Sequence, residues 1–336
     1  MWKLAIDLGS SVTKIYRADT NNGIVLVEPS CVAVSGAEEN VRAIGREAKN
    51  LIGKTADCTS VVYPVFEGEI VHPRLASVML TEFLQRVGVK KSAFRRAQIL
   101  IGIPCGASQA TVNAYANLAE ECGLKNVFFV EQPYLVATSV GATVGSFEPV
   151  FCLDIGGGIT NVAVVSVDGI ISGLSMNIGG SNMDLSIRMD IQENKRLQIG
   201  ALTAERLKNE LVNLSPTAMG AMVAEGCSVD SYRPASSSIR AQEIRSCITR
   251  YLDKVVEYAT MVIRNLPAEV AAIVNRNGVY LSGGVMKIPG VASYIGERLE
   301  MRYFVGEEPQ FSTAQGAGAL LRDKDLLRAF AKAIDE

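Results

Sequence analysis

Two copies of one strand-turn-strand device, 147 residues apart (154 − 7), constrain this chain more than any other feature. In the first copy the apolar run Leu4 to Ile6 meets Asp7, Gly9 and Ser10, and β-branched and aromatic residues resume from Thr13 to Arg17. In the second, V-F-C-L from Val150 leads into Asp154 and the glycines 156 to 158. Thr160 and the run V-A-V-V-S-V to Val167 follow, and Asp168-Gly169 makes the next turn. Apolar runs interrupted by small and turn-forming residues predict hairpins. The spacing is close to half of 336 residues, so it predicts an internal duplication. After each copy, short apolar strands alternate with helical segments, which predicts mixed α/β layers in both halves. Helices are expected near 46–51, 75–86, 109–122, 203–211 and 241–266, with strands at 24–27, 99–103, 127–130 and 279–281. Pro149 marks a boundary between the halves, and the serine-rich stretch 231–239 reads as a solvated loop.

Lys+Arg 33 against Asp+Glu 35 gives 33 − 35 = −2, without the basic surplus that drives non-specific nucleic-acid binding, so no nucleic-acid partner is expected. With 48% hydrophobic and 20% charged residues the chain is too apolar for disorder, and its length allows about two domains. The seven cysteines are scattered without a C-x-x-C pair, so they read as buried thiols in a reducing cytoplasm. Asp7 interrupts any signal-peptide core, and no apolar run approaches the ~18 residues of a membrane span.

A glycine-rich turn lets backbone N–H groups approach phosphate oxygens, because a residue without Cβ leaves room for the anion. Two such turns facing each other would clamp a polyphosphate. The aspartate preceding each, Asp7 and Asp154, is suited to holding the water shell of Mg²⁺, which keeps several waters and takes few protein ligands.

The segments A-I-D-L-G-S-S-V-T-K (5–14), L-D-I-G-G-G-I-T-N-V-A-V-V (153–165) and V-Y-L-S-G-G-V (279–285) resemble the phosphate 1, phosphate 2 and adenosine motifs of the superfamily of actin, sugar kinases and heat-shock chaperones. Within it the chain is similar to the MreB family of bacterial actins, through 23–34, 43–55, 129–133, 178–184, 199–208 and 314–321 in the same order. The resemblance implies an α/β, actin-like fold with two similar domains around a nucleotide cleft. Domain I would span 1–149 plus about 310–336 with a smaller subdomain at about 30–72, and domain II 150–309 with one at about 182–240. It also implies ATP and Mg²⁺ as ligands and filaments that determine cell shape and guide wall synthesis. Its partners would be the chain itself, the inner membrane surface and cell-shape membrane proteins, and its place the cytoplasm, peripheral at the inner face of the membrane.

Carried over by residue, the phosphate 1 loop falls on Gly9, Ser10, Ser11 and Val12, and phosphate 2 on Gly156, Gly157 and Gly158, with Thr160 beside the γ-phosphate. Glu205, Arg206 and Lys208 would serve the ribose and adenine side, and Ser282, Gly283, Gly284 and Val285 the base. Three departures bear on chemistry. The family's water-positioning glutamate is Thr111 here, Ile159 and Asn161 replace a threonine and a glutamate, and Val285 replaces a glycine. A hydroxyl is no base near neutral pH, so hydrolysis is expected to be slow or absent. Glu131 is a candidate to order water or metal, or to cap the following helix. For membrane contact the sequence offers Phe94 as an apolar wedge among Lys90, Lys91, Arg95 and Arg96. The segment 320–335 is amphipathic with balanced charge and is expected to pack on its own domain. The alternatives are a nucleotide-gated scaffold that does not polymerise and a small-molecule kinase, for which no motif supplies a substrate base. A chaperone is not expected, since no peptide-binding domain follows residue 336.

Overall fold

The computed structural model describes all residues except 21–22, 37–38, 56–58, 142–147, 216–218 and 332–336. The first half runs β1 (Lys3–Leu8), β2 (Val12–Arg17), β3 (Gly23–Pro29), β4 (Val32–Ser35), β5 (Asn40–Ile44), α1 (Arg46–Lys49), β6 (Thr59–Val62), β7 (Val65–Phe66), β8 (Glu69–Ile70), α2 (Pro73–Arg86), β9 (Gln98–Ile103), α3 (Gln109–Glu121), β10 (Asn126–Glu131) and α4 (Gln132–Ser139). The second runs β11 (Val150–Ile155), β12 (Thr160–Ser166), β13 (Gly169–Met176), α5 (Gly180–Lys195), β14 (Leu197–Gln198), α6 (Ala201–Glu210), β15 (Ala221–Ser228), β16 (Pro234–Arg240), α7 (Ala241–Arg264), α8 (Ala268–Asn277), β17 (Val279–Ser282), α9 (Val291–Leu299), β18 (Tyr303–Val305), α10 (Ser312–Leu320) and α11 (Lys324–Phe330).

The two copies of the hairpin seed two five-stranded sheets of one topology. The first has the order β3-β2-β1-β9-β10 and the second β13-β12-β11-β17-β18. In each, the three strands from the hairpin side are antiparallel and the last two join in parallel. The central strands β1 and β11 are buried along nearly their whole length, which their continuous apolar runs require because helices cover both faces. Each half also carries a three-stranded antiparallel sheet, β5-β4-β6 in the first and β14-β15-β16 in the second.

Helix α10 packs on α4 and β1, so the chain's last part returns to the first sheet. Between the two large sheets lies an apolar layer that draws Ala5 and Leu100 from the first, Cys152 and Val165 from the second, and Leu135, Ala317 and Leu320 from α4 and α10. Phe330 of α11 stacks on Tyr134 at 4.4 Å between ring centroids, and Leu326 and Leu327 are buried, so this part of 320–335 packs on its own half as expected.

Two expectations are corrected. The stretch 231–239 is no loop throughout: from Pro234 it is β16, paired along its length with β15. Its alternating exposed and half-buried small polar residues support a ladder with little apolar signal. Phe94 is not a wedge. It lies in a 3-10 turn, Lys91–Arg96, and is 3% exposed, packed in the first half's core. In a 3-10 turn residues three apart share a face, and Phe94 and Ala97 together point inward. Lys90, Lys91, Arg95 and Arg96 remain exposed around it. Phe94→Ala is therefore expected to destabilise the fold by about 3–5 kcal/mol, read as a lower denaturant midpoint; an unchanged midpoint would return the ring to the surface.

Cys31, Cys105, Cys122, Cys152 and Cys247 are buried free thiols as expected, and Cys227 is half-buried. Burial pushes the Cys31 and Cys122 thiols up to about 11, so both stay protonated and unreactive at neutral pH. Cys58 lies outside the described residues.

Candidate functional site

The turns of the two hairpins, Leu8–Val12 and Ile155–Thr160, meet across a cleft of about 460 Å³, in the size range of small-molecule sites. Asp7 and Asp154, 5% and 8% exposed, lie at its floor on β1 and β11. Hairpin register places Lys14 directly opposite Asp7, and its Nζ sits 2.6 Å from the Asp7 carboxylate. The other Asp7 oxygen accepts from Gln132 Nε2 at 3.4 Å, and Asn161 Nδ2 donates to Gln132 Oε1 at 2.7 Å. Asn161 Oδ1 accepts the Cys105 N–H at 3.0 Å, so one buried amide chain ties the two halves together behind the carboxylates. Ser282 Oγ donates to Asp154 at 2.7 Å. Burial nonetheless raises the Asp154 pKa, and the negative charge of Asp7 adds to the rise.

The turns approach more closely than side chains would permit. A Cβ on Gly157 would stand 2.1 Å from Ser11 Oγ and 2.6 Å from Ser11 Cβ. Behind the second turn, the α5 N–H groups of Gly180 and Ser181 donate to the Gly156 and Gly157 carbonyls at 3.0 and 2.8 Å. A trans peptide points its N–H opposite to its C=O, so the Gly157 and Gly158 N–H groups turn away from α5. At the far wall Gly283 has φ +96°, and a Cβ there would fall 2.2 Å from the Ile155 carbonyl oxygen, so only glycine fits. Gly284 and Val285 line the cleft beside it.

Along the other wall, Lys208 of α6 donates to Asp184 of α5 at 2.8 Å and to the Gly180 carbonyl at 3.1 Å. Burial pushes the Asp184 carboxyl up to about 6 against the pull of Lys208. Its Oδ1 is buried and, among the described residues, has no hydrogen-bond partner. Glu205, one turn before Lys208, reaches across the mouth to Lys49 of α1 at 2.7 Å and joins the small elements of the two halves.

Several expected site residues take other roles. Arg206 turns away from the cleft and donates to the Val223 carbonyl, since adjacent helical residues diverge by about 100°. Thr160 is fully buried, its hydroxyl donating to the Ile178 carbonyl at 2.7 Å, so it braces β12 instead of facing a phosphate. Glu131 accepts the Gly106 N–H at 2.5 Å and makes no side-chain cap on α4, so it staples the turn before α3. Thr111 lies in the first turn of α3, capped by Ser108, and its hydroxyl donates to Glu69 Oε1 at 2.8 Å. Ser10 and Gly158 lie against the β7–β8 turn: Ser10 Oγ accepts the Gly68 N–H at 3.3 Å, and a Cβ on Gly158 would come 3.4 Å from Glu67 N. Gly9 closes the first turn, where a Cβ would meet the Val12 carbonyl oxygen at 2.8 Å.

Sequence reasoning passed over Lys14, Lys49, Glu69, Gln132 and Asp184. Lys14 was within reach, because a hairpin centred between Leu8 and Thr13 pairs residues 7 and 14.

The donor set suits a nucleoside triphosphate with Mg²⁺. Ser11, Val12, Gly156 and Gly157 of the two turns line the cleft, two buried carboxylates carry charge that a cation would relieve, and the orphaned Asp184 oxygen calls for a donor such as a ribose hydroxyl. Among the described residues no group of three or more His, Cys, Asp or Glu stands together in a way that could hold a metal ion.

Twin sheets of one topology, each presenting a glycine turn to a shared cleft, define an actin-like protein. The solved chain of MreB 5 of Spiroplasma citri bound to AMPPNP matches at a TM-score of 0.87 and 25% identity, covering 94% of each chain. The MamK double helical filament matches in fold, with a TM-score of 0.79 at 19% identity over 96% of this chain and 99% of that one. The family model described as MreB/Mbl protein matches residues 1–329. The cell shape-determining protein MreB of Escherichia coli (strain K12) is 30% identical over 334 residues, 96% of this chain and 94% of that protein. Mbl of Bacillus subtilis (strain 168) is 29% identical over 96% of this chain and 97% of its own. The chain belongs to the MreB/Mbl family.

Proposed function

We propose that this protein binds ATP with Mg²⁺ in the cleft and assembles into cytoskeletal filaments that determine cell shape. The observation that carries the reading is the cleft of about 460 Å³ lined by the two turns, with the buried carboxylates of Asp7 and Asp154 at its floor. Family membership and cell shape-determining relatives support the cytoskeletal part, and the AMPPNP of the Spiroplasma citri relative supports the nucleotide. Asp7 and Asp154 would hold the ion through water, and the ion would supply charge neutralisation at the phosphates. Lys14, now paired with Asp7, then becomes free to face a phosphate oxygen. Glu205 and Asp184 would accept ribose hydroxyls, Glu205 at the cost of its pair with Lys49.

The filaments would lie in the cytoplasm beneath the inner membrane and meet cell-shape membrane proteins there. With Phe94 buried, lipid attraction rests on the exposed cations Lys90, Lys91, Arg95 and Arg96, about 1 kcal/mol each near an anionic surface and screened by salt. Polymerisation multiplies such a weak contact through effective concentration. High-speed pelleting with and without ATP–Mg²⁺ tests the reading: nucleotide-dependent polymer is expected. Protein that binds ATP yet stays in the supernatant at all concentrations would favour a nucleotide-gated scaffold.

A further inference from the structure

We propose that the open edge of β18 and the cavity beside it form a docking site for an extended peptide, which adds as a further strand and places an arginine side chain in the cavity. β18 is the last strand of the second large sheet, so among the described residues one of its edges has no strand beside it. Tyr303 is aligned with Val279 in the parallel ladder with β17, and the Arg302 carbonyl accepts the Val279 N–H at 2.9 Å. Backbone groups alternate in direction along a strand, so the N–H and C=O groups of Tyr303 and Val305 point to the open edge. Such edges are usually guarded by charge, proline or a bulge. Here the strand is Tyr-Phe-Val, its side chains 41%, 46% and 37% exposed, and every residue from 302 to 308 is exposed.

Tyr303 lies against Gly296 of α9, and Phe304 turns to the opposite face, where its ring stacks on Tyr280 at 5.3 Å between centroids. The stacked pair walls a cavity of about 290 Å³ that α4, the residues after β18 and the first turn of α10 enclose. Glu307 and Glu308 line it, both exposed and in no ion pair among the described residues. Ser312, at the start of α10, also lines it and is only 9% exposed, yet its hydroxyl makes no hydrogen bond among the described residues. The Gln315 amide, one turn on, lines the same space and is likewise unpartnered there. A buried hydroxyl open to a cavity calls for a polar partner in it.

Aromatic faces, carboxylates and neutral oxygens together suit a guanidinium. It is planar and stacks on a ring, and its fork of five donors can reach Glu307 or Glu308 and also Ser312 Oγ and Gln315 Oε1. An ammonium would pair with the carboxylates as a point charge without stacking, and a carboxylate would be repelled by both glutamates. Main-chain bonds to Tyr303 and Val305 would hold the peptide, and successive side chains of a strand point to opposite faces. The residue beside Phe304 therefore enters the cavity while its neighbours lie on the α9 side. The site is independent of nucleotide binding.

The probe is a capped, fluorescein-labelled pentapeptide of threonine and valine with arginine at its centre, titrated with nucleotide-free protein and followed by anisotropy. Matched peptides carry lysine or glutamate at the centre. The arginine peptide is expected to saturate one site per chain, the lysine peptide to bind about fivefold more weakly, and the glutamate peptide not to bind. Glu307→Gln with Glu308→Gln changes exposed side chains alone, so it is expected to keep the unfolding midpoint and to weaken the arginine peptide about tenfold. Val305→Pro removes one outward N–H and is expected to weaken the peptide by a similar factor. The absence of saturable binding, or equal binding of the arginine and glutamate peptides, would overturn the proposal, as would unchanged affinity in the double variant or in folded Val305→Pro. Peptide-free protein that sediments as a dimer, and as a monomer once Val305→Pro is introduced, would assign the edge to a second copy of the chain and equally overturn it.

Discussion

Gly316→Val is expected to destabilise the protein by about 3 kcal/mol or more, because the added side chain meets backbone on its first carbon. A Cβ at this position of α10 would fall 1.7 Å from the Leu135 carbonyl oxygen and 3.1 Å from Ser139 N, both backbone atoms of α4. Neither can rotate away, so the two helices must separate. They form the apolar layer between the two large sheets, and separating them loosens the packing of both halves at once. Even Gly316→Ala carries the offending atom and is expected to show most of the effect. Gly306→Ala, where a Cβ meets nothing within 4 Å, is expected to stay within about 0.5 kcal/mol of wild type. Chemical denaturation of the three variants checks the ranking. Similar midpoints for Gly316→Val and Gly306→Ala would mean that α4 and α10 are not in close contact.

Gly157→Val is expected to abolish the rise in Tm that ATP–Mg²⁺ gives the wild type, while changing the Tm of the nucleotide-free protein much less. A ligand at 100 times its Kd stabilises the folded state by about 2.7 kcal/mol, and that increment is what should vanish. The contact at 2.1 Å is to a serine hydroxyl that could swing aside, but the one at 2.6 Å is to Ser11 Cβ, fixed by the backbone. The two turns must therefore move apart, which distorts the cleft wall that they form. A compensated pair makes the argument specific. In Gly157→Ala with Ser11→Gly both close atoms are gone, and the next neighbour, Ser11 N at 3.6 Å, is at an ordinary contact distance. The double variant is expected to regain the ATP-dependent shift that Gly157→Ala alone weakens. If Gly157→Val keeps the full shift, nucleotide does not sit between these turns.

What could be read from the sequence was local. A hairpin folds from adjacent residues, so the paired turns at Asp7 and Asp154 and the doubled α/β layout were legible from strand patterns and spacing alone. Residues that act through long-range pairing were not. Gln132 and Asn161 meet only because α4 crosses behind both sheets, and Glu69 meets Thr111 only because a hairpin of two-residue strands, too short for any periodic signal, docks on α3. Phe94 misled for a physical reason: one aromatic ring among four cations has the same pattern whether the ring enters lipid or the turn tucks it inward. Thr160 and Arg206 were placed by sequence position, and the hydrogen bonds to Ile178 and Val223 that draw them elsewhere leave no trace in the motif. The β16 segment was missed because a ladder of small polar residues owes its stability to backbone pairing with β15, which composition does not record.

Calorimetric titration of the wild-type protein with ATP, in the presence and absence of Mg²⁺, tests the central claim most directly. One site per chain is expected, tighter with Mg²⁺ than without, because the cation relieves the buried charge of Asp7 and Asp154. The absence of saturable ATP binding under both conditions would contradict the account.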